Sequence, residues 1–464
     1  MDFDLIAHLR QAFMDLGEKG GLLIADSVRL SFGVDYFLKK VSNLAPMKRL
    51  FVVDHVAAFP YGHNISCMNV FASSFGRHFS ETIKLGPTCM PEIAGETDDI
   101  HKVLNYPYNG IIEAKYFNGF FRNKKRSIKI SFLIRKVTKN FYSKWVKTFD
   151  KDLMLRQTKR NWQKVLKKYN IDSSDTLFFP STDYYGARAL LEICNELDKA
   201  ERPKMHFRFI GVMENAAYGR IQGCTPILNN IKKLIEEGAS ITISAETPIY
   251  CSYLQKLTHL NIIYLAYPLE GQLEPLNWDI DNFKIALPGQ GRRDKGYFRF
   301  YDIAKFLNRD SKARKFKMLL QGMKLSDPCF NKPYNRILAE IKSLELLPAQ
   351  LGINALNDIY KKSDILLQPY CTGTYAYRGS AVYQEGIAFG RLFVCSKNTG
   401  ISNLVQRYGN GLLADTDEDF AKSIIELSKL SKQEVEKKVY NARALYEADF
   451  EEGKKLILEG ILNG

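Results

Sequence analysis

The chain has no CxxC pair and no closely spaced cysteines, although it contains eight Cys among its 464 residues. Disulfide frameworks and cysteine-based metal sites depend on such spacing, so neither is expected. The sequence also lacks a basic N-terminal segment followed by an apolar run, and it has no apolar stretch of 18 residues. We therefore expect no signal peptide and no transmembrane helix. A cytoplasmic location fits best, with Cys194 and Cys395 as thiols in the core.

Acidic residues are nearly missing from residues 115–168, which carry 18 Lys or Arg against two Asp. This excess accounts for the +15 net charge of the whole chain. Trp145 and Trp162 lie in the same stretch, together with several Phe. Such a stretch suits an anionic membrane surface, where each Lys or Arg contributes about 1 kcal/mol and aromatic rings lie at the interface. A solvated helical face stays open as an alternative, and nucleic acid is the least favoured partner.

Apolar segments with strand character alternate with amphipathic helical ones in two successive parts of the chain. This α/β alternation predicts two Rossmann-like, doubly wound domains. The first domain covers residues 46–275, including the basic stretch, and the second covers residues 283–440. Residues 1–45 form a helical extension, and the pattern breaks at residues 262–282. Strands are predicted at residues 48–53, 175–179, 205–210, 240–244, 283–287, 315–320, 364–367 and 391–395, and a helix at residues 334–344.

The segment from Asp364 to Ala414 has the layout of an anion site. It runs from a strand through a polar loop to a helix, and then to another strand. Gly379 lets the backbone approach a phosphate, and Ser380 can cap the helix whose first N–H groups suit a diphosphate. Glu385, in the second turn, is placed to accept hydrogen bonds from ribose hydroxyls.

A second loop follows the first strand of the same domain. Its sequence, PGQGRRDKG, combines glycines with the cations Arg292, Arg293 and Lys295. Cations at this position can neutralise the charge that develops on a diphosphate leaving group.

These stretches resemble the donor domain of retaining GT-B glycosyltransferases of the large family four. The matching segments are PGQGRRDKG, DIYKKSDILLQPY, YRGSAVYQEGIAFGRLFVCSKNTGISNLV and GNGLLA, in the family's order over roughly residues 283–415. The resemblance implies that Lys295, with Arg292 or Arg293, holds the diphosphate of a UDP- or GDP-sugar. Gly379 and Ser380 would cradle it, and Glu385 would bind the ribose.

The same resemblance implies transfer of the sugar to an acceptor hydroxyl with retention, and without a metal or a bound cofactor. The acceptor would be a glycan or a lipid-linked molecule in bacterial-type surface glycan or glycoconjugate synthesis. The enzyme would work in the cytoplasm, on the inner face of the membrane. A C-terminal helix at residues 441–464 would cross back to the first domain.

One position departs from the family's pattern. The family usually has a Glu eight residues before the ribose-binding Glu, where it contacts the donor sugar. Tyr377 stands there in this chain as a candidate donor-binding residue, and Arg378 beside it is a candidate for a different donor contact.

The first domain resembles the family only in outline. Gly62 and His63 lie in the loop after its first strand, near the expected diphosphate or acceptor. Gly62 is a candidate donor contact, and His63 is a candidate catalytic residue. Arg208 is a candidate catalytic residue, whereas His206 in the same strand is better interpreted as a core histidine. Polar residues also follow two other strands at the cleft: Ser181, Thr182, Asp183, Glu246 and Thr247.

Two other functional classes stay open at this point. A sugar-nucleotide epimerase or hydrolase on the same fold would need a pair of carboxylates as acid and base, and the sequence offers no convincing pair. A non-catalytic basic binding protein is the second alternative, because the sugar-binding Glu is missing.

Overall fold

The computed structural model describes residues 48–58, 64–105, 154–211, 224–269, 273–274, 278–279, 282–310, 315–323, 338 and 341–462. The predicted helical extension at residues 1–45 lies outside the described residues. So do Gly62, His63, Trp145 and residues 115–153 of the basic stretch, and the expectations for them stay predictions.

Seven parallel strands form the first sheet, in the order β3-β2-β1-β4-β5-β6-β7. The central strands β1 and β4 are almost entirely buried, as expected when helices cover both faces of a parallel sheet. The bounds are Arg49–Val53 (β1), Glu81–Pro87 (β2), Ile100–Leu104 (β3), Thr176–Phe179 (β4), Lys204–Phe209 (β5), Ile241–Ala245 (β6) and Ile263–Tyr264 (β7).

Two features of this sheet differ from the sequence prediction. Strands β2 and β3 were not predicted, because polar residues interrupt their apolar positions. The break in the pattern expected around residues 262–282 also starts later than predicted. The two residues of β7 extend the first sheet beyond residue 262 by pairing with Ser244 and Ala245.

Five helices accompany the described strands of the first sheet. They are Asn64–Gly76 (α1), a helix described over residues 154–169 (α2), Tyr184–Cys194 (α3), Thr225–Glu236 (α4) and Pro248–Thr258 (α5). Helix α2 carries the end of the basic stretch. Its Trp162 is fully buried and donates a hydrogen bond from Nε1 to the Gly186 carbonyl at 3.0 Å. Trp162 is therefore a core residue, and its interpretation as a surface aromatic is wrong.

Six parallel strands form the second sheet, in the order β10-β9-β8-β11-β12-β13. Their bounds are Asn282–Leu287 (β8), Lys315–Gln321 (β9), Leu344–Leu347 (β10), Ile365–Gln368 (β11), Leu392–Ser396 (β12) and Gly411–Ala414 (β13). The strand order reverses between β8 and β11. In sheets of this kind, ligands bind beyond the carboxyl ends of the strands at such a reversal.

Helices connect the strands of the second sheet and close the chain. They are Phe300–Asp310 (α6), Ile353–Lys362 (α7), Thr372–Tyr375 (α8), Ala381–Ala388 (α9), Gly400–Tyr408 (α10), Asp417–Leu427 (α11) and Lys432–Leu462 (α12). The predicted helix at 334–344 is wrong at its end. Residues 341–343 precede β10 as a turn, and β10 begins at Leu344.

Helix α12 is 31 residues long and joins the two sheets. Near its start it packs against the second domain, where Arg443 donates to the Ala388 carbonyl at 2.9 Å. At its other end Lys204, in β5, donates to the Ile461 carbonyl at 2.8 Å. The chain therefore returns to its first sheet at the C-terminus. The predicted fold class, an α/β protein with two Rossmann-like sheets, is confirmed.

Packing beneath α9 gives a stability prediction. A Cβ added at Gly386 would lie 2.5 Å from Leu366 Cδ1 and closer still to Phe393. We expect Gly386→Ala to lower the free energy of unfolding by about 1–2 kcal/mol, because overpacking outweighs the helix propensity of Ala. Urea denaturation measures this. Gly373→Ala is the control, since no atom lies within 4 Å of a Cβ there. Equal stability of the two variants would contradict this packing.

Candidate functional site

The loop after β8 brings Lys295 back over its own backbone. Gly289 has a positive φ of 86°, and a Cβ at this position would lie 2.6 Å from Lys295 Nζ. A side chain at 289 would therefore displace the ammonium group. Gly296 also has a positive φ, and a Cβ there would collide with the Pro369 carbonyl in the loop after β11. The Cys371 N–H donates to the Asp294 carbonyl at 2.9 Å, which holds the two loops together at the strand-order reversal.

Three cations of these loops gather around two tyrosines. Arg292 donates from Nη2 to the Tyr375 hydroxyl at 2.8 Å, and the Arg378 guanidinium lies 5.6 Å from the Tyr375 ring centre. Lys295 Nζ lies 5.8 Å from the centre of the Tyr370 ring, which packs on Tyr375 at 4.5 Å. These distances permit cation–π attraction and place three positive charges in one region. We call Arg292, Lys295 and Arg378 the cation cluster.

The cation cluster is only partly neutralised by nearby carboxylates. Asp294 lies 3.1 Å from Arg292. Burial and the neighbouring Arg292 nevertheless lower the pKa of Lys295 to about 8, although Asp294 and Glu385 act in the opposite direction. A lysine pKa lowered by burial and by a neighbouring cation belongs to an ammonium group that further negative charge would stabilise. An anionic ligand would supply them. Arg293, in contrast, is exposed.

The N-terminus of α9 faces this region with Ser380 at the N-cap position. The expectation that the Ser380 side chain caps the helix is wrong. Its hydroxyl makes no capping bond and instead accepts a hydrogen bond from Gln368 Nε2 at 3.0 Å. The Ser380 hydroxyl therefore does not occupy the first N–H groups of the helix, which are the donors that an anion needs.

Glu385 lies in the second turn of α9 and is half-buried. Its charge acts on two side chains. It partly opposes the lowering of the Lys295 pKa, and it adds to burial in raising the pKa of Tyr360. The predicted ribose residue and the predicted diphosphate residue are thus brought together.

The Tyr377 side chain packs against α5 of the first domain. Its ring stacks on Tyr253 of α5 at a centroid distance of 4.4 Å, and on Tyr250 at 5.6 Å. Thr247 Oγ1 donates to the Tyr377 carbonyl at 2.8 Å. The side chain at this position therefore contacts the first domain.

Arg208 is buried in the first domain, with 2% of its surface exposed. Its Nη1 donates to the Pro180 carbonyl at 3.1 Å, and its guanidinium lies 5.2 Å from the Phe71 ring centre. A direct catalytic contact for Arg208 stays a prediction. The structure instead gives it hydrogen bonds to backbone carbonyls.

The core interpretation of His206 is confirmed. Its ring nitrogens contact Thr242 Oγ1 at 2.8 Å and Ser244 Oγ at 2.9 Å, and the ring stacks on Phe178. Burial lowers the pKa of His206 to about 3, so the ring is neutral at physiological pH.

Several residues of interest were not recognised from the sequence. The Tyr370 ring lies beside Lys295 of the cation cluster, and Gln368 donates a hydrogen bond to Ser380. Gln368 ends β11 and Tyr370 follows it closely, and polar residues at the end of a parallel strand indicate a functional site. Asp54 directly follows the central strand β1, and burial raises the pKa of its carboxyl to about 8. A carboxylate immediately after VV in a predicted central strand was the signal that could have found it.

Cys194 and Cys395 are buried, as predicted, and burial raises the pKa of both thiols. Within the described ranges, no group of three His, Cys, Asp or Glu side chains is arranged to hold a metal ion. No helix in the same ranges is both long and apolar enough to cross a membrane.

No protein-family model matches the chain, and no curated protein matches its sequence. Several solved structures share its fold. A UDP-forming α,α-trehalose-phosphate synthase from Burkholderia xenovorans superposes with a TM-score of 0.57 at 10% identity, over 90% of this chain and 99% of the other. Sucrose-phosphate synthase from Thermosynechococcus elongatus gives 0.56 at 13% identity, over 89% and 97%.

A glycosyltransferase from Rickettsia africae gives a TM-score of 0.56 at 12% identity, over 90% of this chain and all of that one. These similarities extend over both sheets and over nearly the whole length of each protein. The chain therefore has the GT-B fold, as its sequence predicted.

Proposed function

We propose that the protein is a glycosyltransferase that moves a sugar from a nucleoside diphosphate sugar to an acceptor hydroxyl. The observation that carries the proposal is the cation cluster, placed at the strand-order reversal of the second sheet beside the N-terminus of α9. A dianionic diphosphate adds negative charge to cations that the nearby carboxylates only partly neutralise. Proteins similar in fold include an enzyme described as UDP-forming, which supports a UDP-sugar as the first donor to try; a GDP-sugar is the alternative.

The candidate site residues of the second domain have distinct roles in this proposal. Lys295 and Arg292 neutralise the departing diphosphate, a task that preorganised cations perform without a metal. Arg293, being exposed, is left to guide the anion towards the site. Ser380 and the first N–H groups of α9 cradle the phosphates, with Gly379 preceding them in the loop. Glu385 accepts hydrogen bonds from the ribose hydroxyls.

The stereochemical course that we propose is retention. It rests on the resemblance of residues 283–415 to retaining enzymes. Proton NMR of the first product formed checks this point, because the anomeric coupling constant distinguishes the two configurations. Gly62 and His63 are proposed to border the acceptor, and Arg208 to act from within the first domain.

Product analysis separates a transferase from the other enzyme classes. We expect an incubation with UDP- or GDP-sugars to release the nucleoside diphosphate in proportion to glycosylated acceptor. An isomerised nucleotide sugar in the absence of acceptor would indicate an epimerase. Free sugar would indicate a hydrolase, and no conversion of any donor would favour a binding protein.

The acceptor that we propose is a lipid-linked molecule or glycan at the inner face of a membrane, as in bacterial-type surface glycan or glycoconjugate synthesis. The two sides of helix α2 support this acceptor. Leu155, Trp162 and Val165 are buried on one side, whereas the exposed residues of the other side are mostly basic. The exposed basic residues are Arg156, Arg160, Lys164, Lys167 and Lys168.

Vesicle flotation tests the membrane part of the proposal. We expect binding to vesicles that contain anionic lipid and none to neutral vesicles. The double variant R160E/K164E should weaken binding, since each basic residue contributes about 1 kcal/mol. The exposed charge reversal K437E on α12 is a control, and it should bind as the wild type does. Equal binding to both kinds of vesicle, or to neither, would contradict a membrane role for this face.

A further inference from the structure

The loop that carries the proposed phosphate cradle is in close contact with the first domain. A Cβ at Gly211, in the first domain, would lie 2.6 Å from the carbonyl carbon of Tyr377. This position therefore needs glycine for the two backbones to approach. Thr247, at the start of α5, adds its hydrogen bond to the Tyr377 carbonyl.

Glu246 brings a carboxylate into this contact. It directly follows β6 of the first domain, and its Oε1 accepts a hydrogen bond from the Gly211 N–H at 2.7 Å. Its Oε2 would lie 3.0 Å from a Cβ at Gly379, which is the residue before the N-cap of α9. The residue as a whole is half-buried.

Burial raises the pKa of the Glu246 carboxyl above its ordinary value. Arg208 and Arg378, together with the N–H groups of Gly211 and Gly379, act in the opposite direction without cancelling the rise. Arg208 is itself buried and Arg378 is a member of the cation cluster, so the carboxylate has a cation in each domain. This gives Arg208 a function that needs no direct contact with the substrate.

An acidic side chain at this place selects which part of a nucleotide sugar it meets. It repels phosphate, so it cannot share the positions taken by the diphosphate. It has several acceptor lone pairs, of which backbone N–H groups occupy only some. Hydroxyl groups are the donors that match it. Since Glu385 is assigned to the ribose, the hydroxyls available on the opposite side of the diphosphate are those of the sugar.

We infer that Glu246 is a specificity-determining residue that accepts hydrogen bonds from hydroxyls of the donor sugar, supplied from the domain opposite the nucleotide. This inference rests on the proposed function. It assigns to the first domain a contact that Tyr377 cannot make, because the Tyr377 ring stacks on α5.

Glu246→Gln tests the inference by isothermal titration calorimetry with two kinds of ligand. The variant should bind a nucleoside diphosphate alone as the wild type does. Its affinity for the nucleotide sugar should fall about 10- to 100-fold, the usual loss for a hydrogen bond to a charged group. Glu246→Asp, which keeps the charge but withdraws it by one methylene, should show the same selective loss. Unchanged affinity for the nucleotide sugar in both variants would overturn the inference while leaving the proposed function intact.

Thr247→Val is the matched control for an effect on the contact between the domains. It removes the hydrogen bond to Tyr377 and the cap of α5 but leaves the carboxylate, so Tm should fall while sugar-dependent binding persists. If this variant reproduces the selective loss, Glu246 acts only by holding the domains together and the inference is wrong. If the wild type binds neither UDP nor GDP nor their sugars, the proposed function fails, and the inference fails with it.

Discussion

Lys295→Ala should lower kcat by about 10²- to 10³-fold while leaving the fold intact, which is the usual effect of removing one preorganised group that stabilises transition-state charge. The Lys295 ammonium lies over Gly289 and beside the Tyr370 ring, in the loop after β8. No alanine side chain can replace its charge. Steady-state kinetics with a saturating donor measure kcat, and Tm reports on the fold.

Arg293→Ala is the matched control for this variant. It removes a charge of the same sign from the same loop, two residues away, but from an exposed position. We expect its kcat to stay within a few-fold of the wild type. Equal losses in the two variants would indicate a general electrostatic effect, and near-normal turnover in Lys295→Ala would contradict the assigned role.

The pKa of Lys295 adds a dependence on pH. Burial and Arg292 lower it to about 8, so in the free enzyme the ammonium is charged below pH 8 and increasingly neutral above it. If the charged form binds the diphosphate, kcat/KM falls as pH rises through about 8, since this parameter reports the free enzyme. Lys295→Arg should abolish the fall, because a guanidinium does not titrate there. A wild-type profile that stays flat well above pH 8 would contradict the role of this charge.

Glu385→Gln should raise the Kd of the nucleoside diphosphate by about 10- to 100-fold, because the carboxylate is assigned to the ribose hydroxyls and such bonds to a charged group are strong. The same substitution removes the negative charge beside Lys295 and Tyr360. Calorimetry with the nucleoside diphosphate measures the change. Glu459→Gln, on an exposed position of α12, is the control and should bind as the wild type does.

A 2′,3′-dideoxy nucleotide shows whether the loss arises at the ribose. The wild type should lose affinity for this ligand, whereas Glu385→Gln should lose little more, because the same interaction is already missing. If the two losses are additive, Glu385 does not contact the ribose hydroxyls. A variant with wild-type affinity for the ordinary nucleotide would contradict the assignment directly.

Local patterns predicted much of the second domain. Lys295 lies in the loop after one predicted strand, and Glu385 lies in the second turn of the helix that follows another. Parallel strands bring their carboxyl ends to one edge of the sheet. Their proximity therefore follows from topology alone. The fold class follows in the same way, because the alternation of strands and helices extends over both halves of the chain.

Contacts between distant parts of the chain could not be predicted in this way. Glu246 lies more than a hundred residues before Gly379, and their proximity depends on how the first domain packs against the second. The stacking of Tyr377 on Tyr253 depends on the same contact. No local pattern contains it, so the sequence showed only that position 377 departs from the pattern of the family that the chain resembles.

The other differences between the sequence predictions and the structure have local causes. Strand β7 has only two residues, too few for a pattern to detect, and β3 alternates weakly. The core position of Trp162 could have been predicted, because Leu155, Trp162 and Val165 follow helical spacing and are all buried. The composition of the basic stretch obscured that periodicity.

The central claim is that the cation cluster and α9 form a nucleoside diphosphate site. Calorimetric titration of the wild-type protein with UDP, GDP and their sugars tests it most directly, with Lys295→Ala measured alongside. We predict saturable one-to-one binding of one nucleotide series, with clearly weaker binding in the variant. Absence of binding in both series, or equal affinity in wild type and variant, would contradict it.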